Sequence, residues 1–447
     1  MIQHPYLPQT EDEIKSMLET IGVSSIDDLF SDIAPSVLLQ KELNLPKTKT
    51  EWEVYQELSH LAEKNRSAIS FLGCGSYDHI IPSVVGRIMG LPMFYTSYTP
   101  YQAEISQGVL QAIFEFQSMI CSITGMDVAN ASLYDGATAA VEAAAMAVNS
   151  SRNSDTILVS ETVHPSTKAV LRTYFGDLGI NIVEVPAEKG RSNFAAIRDA
   201  LKSEVAAVLV QTPNIFGYLE DLTGLADAVH DNKSKLIVSS NPMSLGIARS
   251  QAEWNADIAV GDTQPFGLPS YFGGPSVGYI ATREKLMRKL PGRIVGQTTD
   301  AEGKRAFVLT LQAREQHIKR ERATSNICSN QALAALGTTI YLSLIGKQGL
   351  KEAGNLCLQK AHYLHDRLVK ELGAEALSAE PFFNEFTLNI GSKTDDLIKA
   401  LRSGGIYGGV RVENLDERYQ GLVTIAVTEK RTKQEMDRYV DIAREVL

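Results

Sequence analysis

The stretch TILVSETVHPSTKAVLRTYFGDLGINIVEV, residues 156–185, places two short apolar runs on either side of a helix-length segment. Residues 156–160 and 181–185 have the length and the β-branched content of buried strands. The segment from Ser166 to Tyr174 between them is typical of a helix. Because two parallel strands need a crossover connection that is usually a helix, this stretch predicts a parallel βαβ unit.

The same alternation continues along the chain towards its carboxyl end. Further strands are predicted at 205–211, 235–240, 257–261 and 276–282, with amphipathic or loop segments between them. Apolar runs of this kind indicate a largely parallel sheet covered by helices on both faces. We therefore predict a large, doubly wound α/β domain with a mixed sheet over residues 66–330. Ligands of such domains bind at the carboxyl ends of the strands.

Two further regions flank this domain. Residues 1–65 are predicted to form a helical arm, with Thr10 as the N-cap of one helix, Gly22 as its stop and a second helix after Thr50. Such an arm can pack on a partner subunit or close its own domain. Residues 331–447 alternate helices with strands at 385–390 and 421–427, which predicts a smaller C-terminal α+β domain.

The composition narrows the class of protein. The chain has 447 residues, 44% of them hydrophobic, and a formal net charge of −10. An acidic balance disfavours nucleic-acid binding, and the longest apolar runs are too short to span a membrane. The four cysteines form no CxxC pair and no zinc-ligand spacing, so no metal site is predicted. The N-terminus lacks an apolar signal region, and we expect a cytoplasmic protein.

Two features together predict a phosphate-bearing planar ligand. Asp135-Gly136-Ala137-Thr138 opens an Ala-rich helix, and free N–H groups at a helix N-terminus bind anions. His164 directly follows a strand, where its ring can stack on a flat ligand. Separately, each has a commoner explanation, an ordinary N-cap and a structural histidine. In this order along the chain they match the needs of pyridoxal phosphate (PLP).

Two residues that a PLP enzyme needs are absent. The strand 235–240 should end in an aspartate for the pyridinium nitrogen but leads into Ser239, Ser240 and Asn241. The strand 257–261 should be followed by the lysine that forms the Schiff base, and Gln264 stands about there. An amide cannot form an imine, so this chain should not bind PLP covalently.

Three long motifs then give a specific resemblance. They are FLGCGSYDHIIPSVV (71–85), FYTSYTPYQAEISQGVLQAIFEFQSMICSITGMDVANASLYDGATAAVEAA (94–144) and PGRIVGQTTDAEGKRAFVLTLQAREQHIKRERATSNICSNQAL (291–333). The chain resembles glycine decarboxylase, the P-protein of the glycine cleavage system, over essentially its whole length. The resemblance implies an aminotransferase-like fold, the fold type I of PLP-dependent transferases.

The resemblance also implies an activity and partners. Length and the missing lysine match subunit 1, the alpha subunit of the split form of the family. It implies that subunit 2 carries PLP and that the two chains form an αβ unit, usually assembled as a heterotetramer. The family reaction decarboxylates glycine and passes the aminomethyl group to the lipoyl arm of the H-protein. Gly136, Ala137, Thr138 and His164 would then be the relic of a cofactor site.

Two segments are candidates for shaping the active site on the partner subunit. The first is rich in tyrosine and polar residues: Tyr95, Tyr98, Tyr101, Glu104, Ser106 and Gln107. Such a loop can present hydroxyl groups to a neighbouring cofactor, or it can be an interface stabilised by buried area alone. If the second interpretation holds, the chain is a scaffold or regulator that stabilises subunit 2 or docks the H-protein.

The second segment, residues 314–328, is rich in basic and hydroxyl residues. Such a cluster suits a phosphate, a carboxylate or an acidic partner surface. The alternative is a solvated helix face on which Glu315 and Glu321 pair with the cations. The residues predicted to act here, by reaching the partner's cofactor phosphate or its surface, are Arg320, Arg322, Thr324 and Ser325.

Overall fold

The computed structural model describes residues 6, 8–39, 41, 43–151, 154–271, 273–327 and 329–447. The chain divides into two compact units, 1–66 and 67–447. Within the described ranges, no helix is long and apolar enough to cross a membrane.

Helices were predicted well at both ends of the chain. Thr10 and Thr50 each form a complete capping box at the start of a helix, and Gly22 ends the first helix in the left-handed conformation with φ of 85°. The helices are α1 (Glu11–Ile21), α2 (Glu51–Glu63), α3 (Ser83–Met89), α4 (Pro92–Tyr95), α5 (Gln107–Thr124), α6 (Gly136–Val148), α7 (Pro165–Phe175), α8 (Phe194–Ala200), α9 (Leu225–Asp231), α10 (Gln316–Lys319), α11 (Ala332–Asp366), α12 (Thr394–Ser403) and α13 (Lys433–Arg444).

The strands of the described residues all lie in the second unit. They are β1 (Ile69–Ser70), β2 (Val128–Ala129), β3 (Thr156–Ser160), β4 (Asn181–Val185), β5 (Ala187–Glu188), β6 (Arg191–Ser192), β7 (Val205–Gln211), β8 (Lys235–Ser240), β9 (Ile258–Asp262), β10 (Gly278–Thr282), β11 (Ile294–Thr299), β12 (Arg305–Thr310), β13 (Glu375–Ala376), β14 (Glu385–Asn389), β15 (Ile406–Tyr407), β16 (Val410–Arg411) and β17 (Leu422–Ala426).

The large sheet has seven strands in the order β2-β10-β9-β8-β7-β3-β4. Strands β4, β3, β7, β8 and β9 run parallel, whereas β10 is antiparallel to both β9 and β2. The prediction of a mixed, largely parallel sheet is therefore confirmed. Buried side chains of α6 and α7 pack with one face of the sheet, and those of α5, α8 and α9 pack with the other. The Ala-rich sequence of α6 suits this position because small side chains allow a helix to lie close to a sheet.

The C-terminal region contains a four-stranded antiparallel sheet in the order β13-β14-β17-β16. Its apolar face packs with α12, α13 and the last turns of α11. Helix α11 leads into this region and is kinked at Gly346, where φ is 59°. Glycine tolerates this backbone conformation, which most residues avoid.

The basic segment 314–328 does not form one solvated helix face. It contains three short turns, at Gln312–Arg314, Gln316–Lys319 and Arg320–Arg322. Arg320 has φ of 53°, which interrupts any continuous helix. The alternative of i,i+4 ion pairs along a helix is therefore wrong.

Candidate functional site

A cavity of about 360 Å³ lies at the carboxyl ends of the parallel strands. Its wall includes Gly136, Ala137 and His164, so the structure brings together three of the four residues predicted for a cofactor site. Thr138 follows them in the first turn of α6. The hydroxyl and amide side chains at the end of β8 also line the cavity: Ser239, Ser240 and Asn241.

The N-terminus of α6 is capped by carboxylates of the chain itself. Asp135 Oδ1 accepts a hydrogen bond from Thr138 N at 2.7 Å, and Asp262 Oδ2 accepts one from Gly136 N at 2.9 Å. Burial raises the pKa of the Asp262 carboxyl, opposed by hydrogen bonds from Ser276 and from backbone N–H groups. The N–H groups of the predicted anion cradle therefore already have two carboxyl groups of the chain as hydrogen-bond partners.

Gln264 uses its amide to fasten one wall of the cavity. Its Oε1 accepts from Tyr77 N at 2.9 Å, and its Nε2 donates to the carbonyl oxygens of Tyr77 at 3.0 Å and Leu268 at 2.7 Å. The side chain is buried. The amide at the expected lysine position is thus a structural clamp with all three contacts made to backbone groups.

His164 is held by both of its ring nitrogens. Nε2 lies 3.0 Å from the Cys74 carbonyl oxygen, and Nδ1 accepts from Ser166 N at 3.1 Å. Burial lowers the pKa of this histidine, which favours the neutral ring with the proton on Nε2. The ring edge is therefore satisfied by the chain itself.

Glu385 is a buried carboxyl group that sequence patterns did not select, and it contacts two residues that line the cavity. Glu385 Oε1 accepts from the Tyr77 hydroxyl at 2.6 Å, and Oε2 accepts from Cys74 N at 3.0 Å. Burial raises the pKa of Glu385 to about 7. Its partners lie more than 300 positions away in sequence, so no local pattern could have indicated the contact.

These residues do not fit covalently bound PLP. The cofactor phosphate would meet the Asp262 carboxylate at the α6 N-terminus, and two like charges at one buried point repel strongly. Gln264 offers an amide already committed to the backbone, and β8 ends in hydroxyl groups without the aspartate that the pyridinium nitrogen needs. The cavity therefore lies where a cofactor site is expected in this fold, but it lacks the lysine and the aspartate that PLP needs.

The tyrosines of the predicted active-site segment lie on the surface. Tyr95, Tyr98 and Tyr101 are 68%, 78% and 53% exposed. The Tyr98 hydroxyl lies 2.9 Å from Ser329 Oγ, and the Tyr101 hydroxyl accepts a hydrogen bond from Arg293 Nη2 at 3.3 Å. Two of the three hydroxyls are thus oriented by contacts with the chain around 293–329.

The polar residues that follow have different surroundings. Glu104 is exposed in a short turn, and Ser106 precedes α5 without a side-chain capping bond. Gln107 donates to the carbonyl oxygens of Ala103 at 2.8 Å and Phe307 at 2.9 Å, and accepts from Phe307 N at 2.8 Å. Its amide is fully used in anchoring α5 to β12.

The predicted basic cluster lines the larger cavity of about 830 Å³, together with the C-terminal half of α6 and with α7. This larger cavity lies at the opposite end of α6 from the predicted anion cradle, because its lining residue Ala145 lies nine residues beyond Gly136, or about 14 Å along a helix. The structure thus separates this cluster from the chain's own cavity. Its four predicted members all line the groove: Arg320, Arg322, Thr324 and Ser325.

The two predicted segments meet at one point. The Tyr101 ring makes an edge contact with His317, with ring centroids 5.9 Å apart. The guanidinium of Arg293 lies over the Tyr101 ring, 5.3 Å from its centroid. No local sequence pattern selects Arg293, because its contacts are with residues distant in sequence: Thr99, Tyr101 and Asn330.

Comparison with known proteins gives a consistent picture. A sequence profile of the glycine cleavage system P-protein matches residues 4–443. The probable glycine dehydrogenase (decarboxylating) subunit 1 of Geobacillus thermodenitrificans is 50% identical, covering 98% of each chain. The protein of the same description from Carboxydothermus hydrogenoformans is also 50% identical, with the same coverage.

Solved structures agree. An inhibitor-bound glycine decarboxylase (P-protein) of the glycine cleavage system is similar at a TM-score of 0.89, with 40% identity over 99% of this chain and 100% of that one. A NifS-like protein from Rickettsia africae has a TM-score of 0.64 with 12% identity, covering 85% of this chain and 99% of that one. At that identity the second likeness concerns the fold alone.

Proposed function

This chain belongs to the glycine cleavage system P-protein family, and we propose that it is the subunit of a glycine decarboxylase that does not itself hold PLP. The observation that carries the proposal is the hydrogen bond between Asp262 and Gly136 N, which puts a carboxylate at the anion site of the fold. Gln264 at the lysine position supports the same conclusion.

In this proposal the cofactor belongs to a second subunit of the same family. PLP there supplies the electron sink for decarboxylation. The present chain contributes an ordered surface, on which the exposed Tyr95, Tyr98 and Tyr101 orient groups at the partner's site and exclude water from it. Arg320, Arg322, Thr324 and Ser325 offer a basic groove to an anionic group of that partner.

The partners follow from the same proposal. They are glycine decarboxylase subunit 2, in an αβ unit assembled as α2β2, the lipoyl H-protein and the substrate glycine. The chain would act in the cytoplasm and be inactive alone. We also propose the arrangement of an arm over 1–65, a large domain over 66–330 and a small domain over 331–447.

The test is co-expression with the subunit 2 chain followed by a glycine–CO2 exchange assay. We expect exchange from the complex and none from this chain alone. We also expect borohydride to trap pyridoxal on subunit 2 only. Pyridoxal trapped on this chain, or full exchange by subunit 2 without it, would contradict the proposal.

A second candidate function is a scaffold that only stabilises subunit 2 or docks the H-protein. The large exposed area of the tyrosines in 95–101 favours it, because such residues suit a buried interface. Alanine substitutions of Tyr95 and Tyr98 distinguish the two candidates. Loss of turnover in an intact complex supports a share in catalysis, whereas loss of the complex alone supports the scaffold.

A further inference from the structure

Arg293 is a buried cation without an anionic partner among the described residues. It is 2% exposed, and within the described part of the chain it has no carboxylate oxygen within 4.0 Å. A buried guanidinium is normally paired, because an isolated charge removed from water carries a large desolvation penalty. The position of this side chain therefore needs an explanation.

The contacts of Arg293 are all to neutral acceptors. Nη1 donates to Asn330 Oδ1 at 3.2 Å, and Nη2 donates to the hydroxyl oxygens of Tyr101 at 3.3 Å and Thr99 at 3.5 Å. The Nε atom is buried and has no hydrogen-bond partner among the described residues. The guanidinium thus keeps at least one unused donor.

Arg314 is a second arginine with unused donors, and it contacts the segment that leads into Arg293. Its Nη1 donates to the carbonyl oxygen of Leu290, three residues before Arg293. Its Nε and Nη2 atoms are buried without a hydrogen-bond partner among the described residues. The charge of Glu315 acts on Arg314, whereas no carboxylate of the described chain pairs with Arg293. Arg293 is therefore the cation of this region that lacks an anion.

The surrounding side chains are those of a receptor for such an anion. Tyr101 and Thr99 supply hydroxyl groups beside the guanidinium, and the His317 ring packs against Tyr101. An arginine presents paired N–H groups that match the oxygens of a carboxylate or a phosphate. Thr99, Tyr101 and His317 belong to the two segments that we propose to face the partner's active site, and Arg293 lies between those segments in sequence.

We propose that Arg293 is the centre of an oxyanion-binding site, which takes the carboxylate or phosphate group of a small molecule held between this chain and its partner subunit. The inference rests on the proposed function, since the partner completes the site. It adds a specific residue and a ligand class. The substrate glycine supplies a carboxylate and the partner's cofactor supplies a phosphate, so both sources share this chemistry.

The test measures anion binding by the full chain, alone and in complex with subunit 2, first without PLP and then after PLP is added. Inorganic phosphate and acetate are titrated separately at constant ionic strength set with sodium chloride, with binding followed by calorimetry. The variant is Arg293→Gln, and the matched control is Arg305→Gln, which removes an exposed arginine of β12. Tighter binding of acetate indicates that the site takes the substrate carboxylate, and tighter binding of phosphate indicates that it takes the cofactor phosphate.

We expect saturable binding by the wild-type complex and by the Arg305→Gln control. Arg293→Gln should weaken it by about 10- to 100-fold, corresponding to the loss of a charge-assisted hydrogen bond. If Arg293→Gln does not fold, Arg293→Lys keeps the charge but loses the paired donors, and should bind at least about tenfold more weakly than wild type.

Three results would overturn the inference. They are no saturable binding in the PLP-free complex, an affinity of Arg293→Gln or Arg293→Lys equal to wild type, or binding by the isolated chain that disappears when PLP-free subunit 2 joins. The last result would mean that an acidic side chain of the partner fills the site. Glycine–CO2 exchange in the same preparations separates these outcomes from failure of the proposed function, because exchange can persist when anion binding does not.

Discussion

Asp262 Oδ2 accepts a hydrogen bond from the backbone N–H of Gly136 at 2.9 Å, so the helix α6 begins against a carboxylate from strand β9. The contact joins the cradle to the segment that carries Gln264, because Asp262 Oδ1 also accepts from Gln264 N at 2.8 Å. Asp262 therefore contacts both features that differ from a PLP site, the N-terminus of α6 and Gln264 at the lysine position. Restoring the lysine alone leaves this carboxylate in place.

The first prediction concerns Gln264→Lys. We expect this variant to form no borohydride-reducible adduct with PLP, because Asp262 still repels the phosphate. The variant also loses three hydrogen bonds to backbone groups of Tyr77 and Leu268, worth about 3 kcal/mol of unfolding free energy together. Visible absorbance after incubation with PLP and urea unfolding provide the two measurements.

Gln264→Leu is the control for that experiment. It loses the same hydrogen bonds without introducing an amine, so its unfolding free energy should fall by a similar amount. A reducible pyridoxal adduct on Gln264→Lys would show that the cradle still accepts a phosphate and that Asp262 does not exclude it.

The second prediction concerns Glu142 in α6, which is buried and accepts from the Tyr174 hydroxyl at 3.3 Å. Burial raises its pKa from 4.5 to about 7, although hydrogen bonds with Ser325 and Tyr174 oppose the shift. A carboxyl group with a raised pKa destabilises the fold progressively as pH rises from about 4.5 to about 7, and fully above that range.

Glu142→Gln should therefore be more stable than wild type at pH 8, by about 2–3 kcal/mol, and nearly equal to it at pH 5. Chemical unfolding at the two pH values measures this. The exposed Glu188→Gln is a matched control and should change neither value by more than about 0.5 kcal/mol. An equal stability difference at both pH values would mean that Glu142 titrates normally.

The third prediction concerns a buried contact between His79 and Glu429, whose Nδ1 and Oε2 atoms lie 2.7 Å apart. Burial alone would raise the pKa of Glu429, but its hydrogen bond with His79 and the charge of that ring hold it at about 2. This stabilisation is present above pH 4.5 and is lost as pH falls from about 4.5 towards 2.

His79→Ala should lower the unfolding free energy at pH 7 by about 2–3 kcal/mol, because it removes the hydrogen bond to the buried Glu429 carboxylate and leaves it with the neutral donors Ile80 N and Cys357 Sγ. The double variant with Glu429→Gln should recover part of the loss. Lys433→Ala breaks an exposed pair with Asp437 and should leave stability nearly unchanged. A double variant less stable than His79→Ala would contradict this interpretation of the contact.

Sequence patterns predicted the features that depend on neighbouring residues. The capping boxes at Thr10 and Thr50, the strand positions and the start of α6 at Gly136 follow local rules of periodicity and capping. The contact of Asp262 with Gly136 joins positions 126 apart, and only the assembled sheet brings them together.

Sequence patterns also could not predict which residues are buried by segments that are distant in sequence. Arg293 sits in the stretch PGRIVG, which has no pattern that distinguishes a buried cation from a surface one. The interruption of the helix within 314–328 was also not predictable from local sequence, since the segment contains no glycine or proline that would indicate the turn at Arg320. Long-range packing decided both features.

The last prediction separates structural from functional residues within the segment 95–107. The Gln107 side-chain amide is hydrogen-bonded to backbone groups of Ala103 and Phe307. Tyr98, in contrast, is 78% exposed, and its hydroxyl forms a hydrogen bond with Ser329. Gln107→Leu should therefore lower the unfolding free energy by about 2–3 kcal/mol, from three lost hydrogen bonds, while turnover per intact complex stays within about twofold.

Tyr98→Phe should leave stability within about 1 kcal/mol and, if the hydroxyl acts at the partner's site, reduce glycine–CO2 exchange by at least about tenfold. Urea unfolding and exchange measured on the same purified complexes test both variants. The reverse result, a stable Gln107→Leu with little exchange and an active Tyr98→Phe, would move the functional contact from the tyrosine surface to the start of α5.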